Sequence, residues 1–400
     1  MILHHLILQK IEEIKKTGFY REIPDFEQTC RNNPPGNKKK IINLAANDYL
    51  NLSSNKDVIK AAQDALEDCG ASSSSSFLIY GHSRLHRKLE ELLCRFKGGY
   101  EKCILYPSGY QANGGVIRAL TGLSPLNTFI IFDELSHASI IDGVLSSGTR
   151  FKSFRHNDLN HLEQILKKNK GAENSKAVKI IITEGVFSME GDIPDLPGIL
   201  YLCEKFDALC VVDDAHATGT IGKSGGGSLD HHGLGNAQGR RPDIIIGTLG
   251  KALASHGAFV LSRKSIIDYL INFSRAFIFS TGLPSSAAAA SIQAIRIIGK
   301  NPSLVGKLQK NSARARELIK NAGFDTLKSS TQIIPILIGD EKKALAAEKM
   351  LLNEGIYLKA IRYPSVAKGK ARLRLAVNNA VNQKNMEEAI NRIATVIKGI

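Results

Sequence analysis

A chain of 400 residues is too long for one small core and suits two domains or one large α/β unit. Its 43% apolar and 23% charged content is that of an ordinary globular chain, and no apolar run approaches the roughly 20 residues of a membrane span. The net charge of +15 is dispersed, with "KKK" at 38–40 the one basic run and no interleaved aromatics; this argues against a nucleic-acid partner and fits solvated faces or an anionic substrate.

In chain order, "MILHHLILQKIEEIKK" has its apolar residues early and its charges late, the reverse of a secretory signal. It predicts an amphipathic first helix at the head of an N-terminal arm, residues 1–45. "SSSSS" at 72–76 is the one low-complexity patch and reads as a flexible loop. From about 100 to 262, short β-branched runs alternate with helical stretches. The runs are "CILYPSG" (103–109), "TFIIFDE" (128–134), "VKIIITEG" (178–185), "LCVVDDAH" (209–216), "DIIIGTLG" (243–250) and "GAFVLS" (257–262). Near-continuous apolar runs imply strands covered on both faces, as in a parallel sheet with helical crossovers. The gap between the last two is too short for a crossover helix, so one strand there is expected to run antiparallel. These runs define a large α/β domain, 46–285. Beyond 286, helices in "SSAAAASIQAIRIIG", "SARARELIKNAG", 341–354 and the last stretch flank "IIPILIG" and "LRLAV", which predicts a smaller α+β domain, 286–400. The six cysteines (Cys30, Cys69, Cys94, Cys103, Cys203, Cys210) include no C-x-x-C pair. No metal site or disulfide framework is expected, and a reducing cytoplasm is the default.

Ligands of an open parallel sheet bind beyond the carboxyl ends of its strands. The polar residues there are Ser108-Gly109-Tyr110, Asp133 to His137, Glu184 to Ser188, Asp213 with His216, and Thr248 with Lys251. Each alone has a plainer reading as a helix cap, a solvated loop residue or a turn lysine; their convergence on one sheet edge is what points to chemistry. An amine such as Lys251 forms a Schiff base with an aldehyde when burial or neighbours lower its pKa. Asp213 suits the partner of a protonated pyridine nitrogen, as pyridoxal phosphate requires. His216, three residues on, suits that ring's phenolic oxygen, and His137 its face. Ser108-Gly109-Tyr110 opens a helix whose backbone N–H groups suit a phosphate, with the Thr248 hydroxyl beside it. A nucleotide-binding P-loop is excluded on spacing: Gly247 to Lys251 is too short and Ala252 follows, and "GTIGKS" (219–224) has two residues where four are needed.

The chain resembles the α-oxoamine synthase family of fold-type I pyridoxal-phosphate enzymes over most of its length. The resemblance rests on "NDYLNLS" (47–53), "GHSRLHRKLE" (81–90), "SGYQAN" (108–113), "SHASIIDG" (136–143), "HNDLNHLE" (156–163), "TEGVFSMEGD" (183–192), "VDDAHATGTIG" (212–222), "TLGKALASHGAF" (248–259) and "STGLP" (280–284). It implies an aspartate-aminotransferase-like fold, with a mostly parallel seven-stranded sheet in the large domain. It implies pyridoxal 5'-phosphate as cofactor, with Lys251 the Schiff-base lysine, Asp213 the ring-nitrogen partner, and His216 and Ser188 near the ring oxygen. His137 becomes the stacking histidine; Gly109, Tyr110 and Thr248 lie on the phosphate side. Arg21 in "GFYRE", Asn47, His137, Ser365 and Arg374 become substrate residues, Arg374 holding the amino-acid carboxylate with a fork that binds it bidentately.

Within the family, "AIRYPSVAKGKARLRL" (360–375) resembles the segment of members that join L-alanine to a pimeloyl thioester, on CoA or a carrier protein, in biotin synthesis. Members that use glycine and acetyl-CoA are the nearest alternative. The resemblance also implies a homodimer, each site completed by the neighbour's "GHS" and "STG" segments, with no membrane or nucleic-acid partner. The sequence departs from the family at "SSSSS", where a Gly/Ser alternation is usual, and at Ser365, where Thr is usual. The His usually found shortly after Arg374 is absent from "VNNAVN". Five serines reshape the first segment, since glycine permits close backbone approach and positive φ; the other two departures bear on substrate choice more than on reaction class.

Overall fold

The structure, a computed structural model, describes residues 2–17, 19–23, 41–169, 178–234 and 240–400. The "KKK" run and Cys30 lie outside the described residues. The strands, in chain order, are β1 (Ile42–Asn43), β2 (Lys102–Tyr106), β3 (Thr128–Asp133), β4 (Arg150–Phe154), β5 (Val178–Glu184), β6 (Ala208–Asp213), β7 (Ile244–Thr248), β8 (Ala258–Ser262), β9 (Ile333–Gly339), β10 (Ile356–Tyr357), β11 (Lys359–Ile361) and β12 (Ala371–Ala376).

Two compact units emerge: Asn47–Ser188 with Asp192–Lys310, and Met1–Ala46 with Met189–Gly191 and Asn311–Ile400. The larger holds a seven-stranded sheet in the order β2-β8-β7-β6-β5-β3-β4. β4, β3, β5, β6 and β7 run parallel, while β8 is antiparallel to both β7 and β2. The short link after "DIIIGTLG" therefore has the expected consequence. The core strands are apolar and sealed: every residue of β3 and β8 is buried. β4 has no apolar run, because it is an edge strand with four exposed residues and only Phe154 buried.

The helix Ser285–Lys300 belongs to this larger unit, where it packs on the helices Lys56–Cys69 and Arg84–Phe96. The boundary thus falls after Lys310, not at 285/286. The buried face Ala288, Ala289, Ser291, Ala294 carries side chains small enough to let helix backbones approach closely. "SSSSS" is not a loose loop. The Ser73 hydroxyl donates to Leu283 O, Gly282 N donates to Ser75 O (2.9 Å), and Ser76 bridges Thr281.

The smaller unit contains the antiparallel sheet β11-β12-β9 and the parallel pair β1–β10. Residues 189–191 insert into it. Gly191 O accepts from Ser330 N (2.9 Å), and Arg372 Nη1 donates to Glu190 Oε1 (2.9 Å). The amphipathic helix expected at the start forms over Ile2–Lys16, and none of its residues is buried.

Candidate active site

β5 and β6 end level with one another, and β7 runs on from Ile246 to Thr248. Glu184 pairs with Asp213 across β5 and β6, and Asp213 with Ile246 across β6 and β7. Asp213 is 7% exposed, and its carboxylate accepts from Asn113 Nδ2 (2.7 Å) and Ala215 N (3.0 Å). Such donors offset the cost of burying a polar side chain. Asn113 lies on the helix Gly109–Gly122, and its amide also donates to Ser139 Oγ (2.8 Å). Ser139 Oγ in turn lies 2.7 Å from His137 Nδ1, which accepts from Ser139 N (3.2 Å) as the cap of the helix Ala138–Ser146. Because Nδ1 is an acceptor, the neutral His137 ring carries its proton on Nε2. Burial lowers the His137 pKa, Asp213 pulls it back up and Lys251 pushes it down. Glu184 Oε1 accepts from His137 N (2.5 Å), which fixes the ring's backbone to the end of β5.

Lys251 sits on the turn after β7, closed by Leu249 N to Gly257 O (2.9 Å), Ala254 N to Lys251 O (2.9 Å) and Ser255 N to Leu249 O (2.9 Å). The glycine at 257 is required there: its φ is +109°, and a Cβ would lie 2.7 Å from Leu283 Cδ1. Thr248 Oγ1 donates to Gly257 O (3.0 Å) and accepts from Gly250 N (3.1 Å), so the hydroxyl braces the turn. Lys251 Nζ lies 3.0 Å from His216 Nε2. On the other side of the imidazole, His216 Nδ1 lies 2.7 Å from the hydroxyl of Tyr49, which donates to Asn47 Oδ1 (3.0 Å). The structure thus brings Asn47, His137, Asp213, His216, Thr248 and Lys251 together within the larger unit.

Gly109 and Tyr110 are the first two residues of their helix. Ser108 caps it, accepting from Gln111 N (3.2 Å) at Oγ and from Ala112 N (3.0 Å) at its carbonyl. The Gly109 and Tyr110 N–H groups have no acceptor among the described residues, and a Cβ at Gly109 would meet open space. The Tyr110 hydroxyl donates to the Asp142 carboxylate, an exposed contact that raises the phenol pKa. Ser188 is buried in the loop after β5. Arg21, Ser365 and Arg374 belong to the smaller unit. Arg21 and Ser365 are exposed, Ser365 N donating to Arg362 O (2.9 Å); Arg374 is buried on β12, opposite Lys359 and Pro335.

Several residues here carry no signal of their own in the sequence. Asn113 and Tyr49 sit in motifs that mark the family resemblance, yet they meet Asp213 and His216 from 100 and 167 residues away. Lys97 and Asp214 are a second case. Both are fully buried, with Lys97 Nζ bonded to the Asp214 carboxylate, to Thr218 Oγ1 (3.1 Å) and to Gly226 O (2.5 Å). Asp214 Oδ1 also accepts from Ser228 N (3.1 Å), so this pair pins the turn that carries His216.

A family model described as aminotransferase class I and II matches residues 39–393. The chain belongs to that family. It is 41% identical to 8-amino-7-oxononanoate synthase of Thermoanaerobacter pseudethanolicus, over 98% of this chain and 96% of the relative. It is 37% identical to the enzyme of the same name from Geobacter sulfurreducens, over 98% of each. Among solved structures, serine palmitoyltransferase of S. paucimobilis with a bound PLP–myriocin aldimine superposes with a TM-score of 0.88 at 26% identity, over 98% of both chains. The 8-amino-7-oxononanoate synthase of Francisella tularensis gives 0.74 at 26%, covering 90% of this chain and 98% of that one. The chain is therefore an α-oxoamine synthase of the fold-type I class and a pyridoxal-phosphate-dependent enzyme.

The residues present fit that cofactor. A buried carboxylate that accepts from two donors suits a protonated ring nitrogen. Two acceptor-less N–H groups at a helix start suit a phosphate, and an amine beside an imidazole suits the aldehyde end.

Proposed function

We propose that the protein catalyses the decarboxylative condensation of L-alanine with a pimeloyl thioester, giving 8-amino-7-oxononanoate, CO2 and free thiol for biotin synthesis. When bound, pyridoxal phosphate supplies an aldehyde that joins an amine and a ring that takes up electron density released at the substrate Cα. Lys251 would hold the cofactor's aldehyde carbon through Nζ and, once the substrate amine has taken its place, would accept the Cα proton. Asp213 would keep the ring-nitrogen proton in place. His216 and Ser188 would bind the ring oxygen, and His137 would stack on the ring. The N–H groups of Gly109 and Tyr110, with Thr248, hold the phosphate. Arg374 binds the amino-acid carboxylate, and Arg21, Asn47 and Ser365 contact substrate. The working unit is a cytoplasmic homodimer whose sites take "GHS" and "STG" segments from the neighbour.

The observation that carries this reading is the 3.0 Å approach of Lys251 Nζ to His216 Nε2 beside the buried Asp213. Full-length relatives sharing one enzyme name support the substrate pair. Superposition on serine palmitoyltransferase supports the backbone and the cofactor, and it bears little on the acyl group, which is read by side chains. The test offers purified enzyme alanine or glycine with pimeloyl-CoA or acetyl-CoA and measures free thiol. Release with alanine and pimeloyl-CoA alone is the expected result; release with glycine and acetyl-CoA assigns the sibling reaction instead.

A further inference from the structure

Four groups stand in line beside the cofactor lysine: Lys251 Nζ, the His216 imidazole, the Tyr49 hydroxyl and the Asn47 amide, with gaps of 3.0, 2.7 and 3.0 Å. Tyr49 is 0% exposed and His216 is 7% exposed, so protein donors and acceptors govern their hydrogen bonding. Their proton positions follow from valence. The Tyr49 hydroxyl gives its one proton to Asn47 Oδ1 and so can only accept from His216, while an ammonium at Lys251 likewise leaves Nε2 as the acceptor. The neutral imidazole then carries its proton on Nδ1 and donates it to the Tyr49 oxygen. The single phenolic proton must then leave in the other direction, to the Asn47 amide oxygen. Each link supports the next, and reversing one would set two protons, or none, between a neighbouring pair.

We propose that Tyr49, backed by Asn47, is a positioning residue that holds His216 in the Nδ1–H tautomer and so keeps an Nε2 lone pair aimed at Lys251. A lysine attacks an aldehyde only as the neutral amine. In the step inferred, a proton passes from Nζ to Nε2: the Nζ–H bond breaks, its electron pair stays on Nζ, and an Nε2–H bond forms. The imidazolium so produced still donates from Nδ1 to the Tyr49 oxygen, which now faces a cation in place of a neutral ring. A bond to a charged donor is stronger than one between neutral groups, so the tyrosine favours the transfer. An orienting partner on the far nitrogen fixes the tautomer of metal-bound histidines in the same way. The inference rests on the reading of Lys251 as the lysine that holds the cofactor, and it extends that reading to two residues that reach Lys251 by way of His216.

Tyr49→Phe removes the hydroxyl and leaves the ring's packing in place. In histidine-15N-labelled apoprotein, with the His216 signals assigned by their loss in His216→Gln, wild-type Nδ1 should resonate as a protonated nitrogen and Nε2 as an unprotonated one. Tyr49→Phe should shift both toward a mixture of tautomers. In Asn47→Ala the phenolic proton loses its amide acceptor and is free to turn toward His216 Nδ1, so both signals should again shift toward a mixture of tautomers. Cofactor loading, followed as visible absorbance after pyridoxal phosphate is added to apoprotein, should slow on the order of tenfold in Tyr49→Phe. A wild-type His216 protonated at Nε2, or a tautomer unchanged in both variants, overturns the proposal. Borohydride reduction followed by peptide mapping locates the cofactor independently. Trapping elsewhere than at Lys251 would instead overturn the reading on which the proposal rests.

Discussion

At Asp213 one carboxylate takes an amide donor from Asn113 and a backbone donor from Ala215, and its negative charge is the property the chemistry needs. Asp213→Asn separates the two demands. The amide oxygen still accepts from Ala215 N, so the variant should fold and retain cofactor absorbance. Without the charge, the ring nitrogen loses its proton and thiol release should fall by about 10²–10⁴-fold. Turnover within a few-fold of wild type, at equal cofactor content, would remove Asp213 from its assigned role. Asp213, His216 and Lys251 are legible in the sequence because strand ends collect them and no other residues there combine a carboxylate, an imidazole and an amine. Asn113 and Tyr49 are not legible by the same logic. An asparagine on an otherwise apolar helix face and a tyrosine in a turn acquire meaning only when folding places them against partners far along the chain.

Within the larger unit, elements also meet through polar side chains that cap or pin them, and the helix Arg84–Phe96 shows the cost of that arrangement. His86, 0% exposed, accepts from Ser83 N (3.0 Å) at Nδ1 and lies 2.8 Å from Leu283 O at Nε2, so the neutral ring uses both nitrogens. Burial holds its pKa down to about 4, against 6.5 for an ordinary histidine, although the Leu283 carbonyl pulls it up. Between those values the unfolded chain binds a proton that the folded chain refuses. Stability therefore rises with pH through this window and is lost as pH falls from 6.5 toward 4, by up to about 3 kcal/mol. In urea titrations the loss between pH 7 and pH 4.5 should shrink in His86→Gln, which keeps a donor for Leu283 and has no proton to gain. An equal loss in both proteins assigns the acid sensitivity to other groups. The same contact explains why "SSSSS", which reads as a flexible loop, is tied down: Ser73 and His86 both hold Leu283, a tie invisible in composition. β4 is hidden for the opposite reason, since an edge strand with one buried residue has no apolar pattern to detect.

For the whole molecule, the division into units is the least legible feature, because it is not contiguous. Residues 189–191 leave the strand-end motif to join the smaller unit, where Gly191 at φ +70° comes so close to the Ile333 carbonyl that a Cβ would lie 1.9 Å from it. No local change of composition marks that excursion. The sequence does mark a surface, and it leads to the last prediction. Leu78, Ile79 and Tyr80 are 51%, 83% and 83% exposed, immediately before the "GHS" segment assigned to the neighbour's site. Three consecutive large apolar side chains on one surface segment are what an interface covers. Ile79→Asp adds a charge where a single subunit meets only solvent, so far-UV circular dichroism and cofactor content should match wild type. Across an apolar interface the same charge is desolvated without a partner, which costs several kcal/mol. Sedimentation at micromolar concentration should therefore show a dimer for wild type and a monomer for Ile79→Asp, with thiol release lost in parallel. A variant that is still dimeric would place the interface elsewhere. A monomer with full turnover would show that each subunit completes its own site and end the shared-site reading.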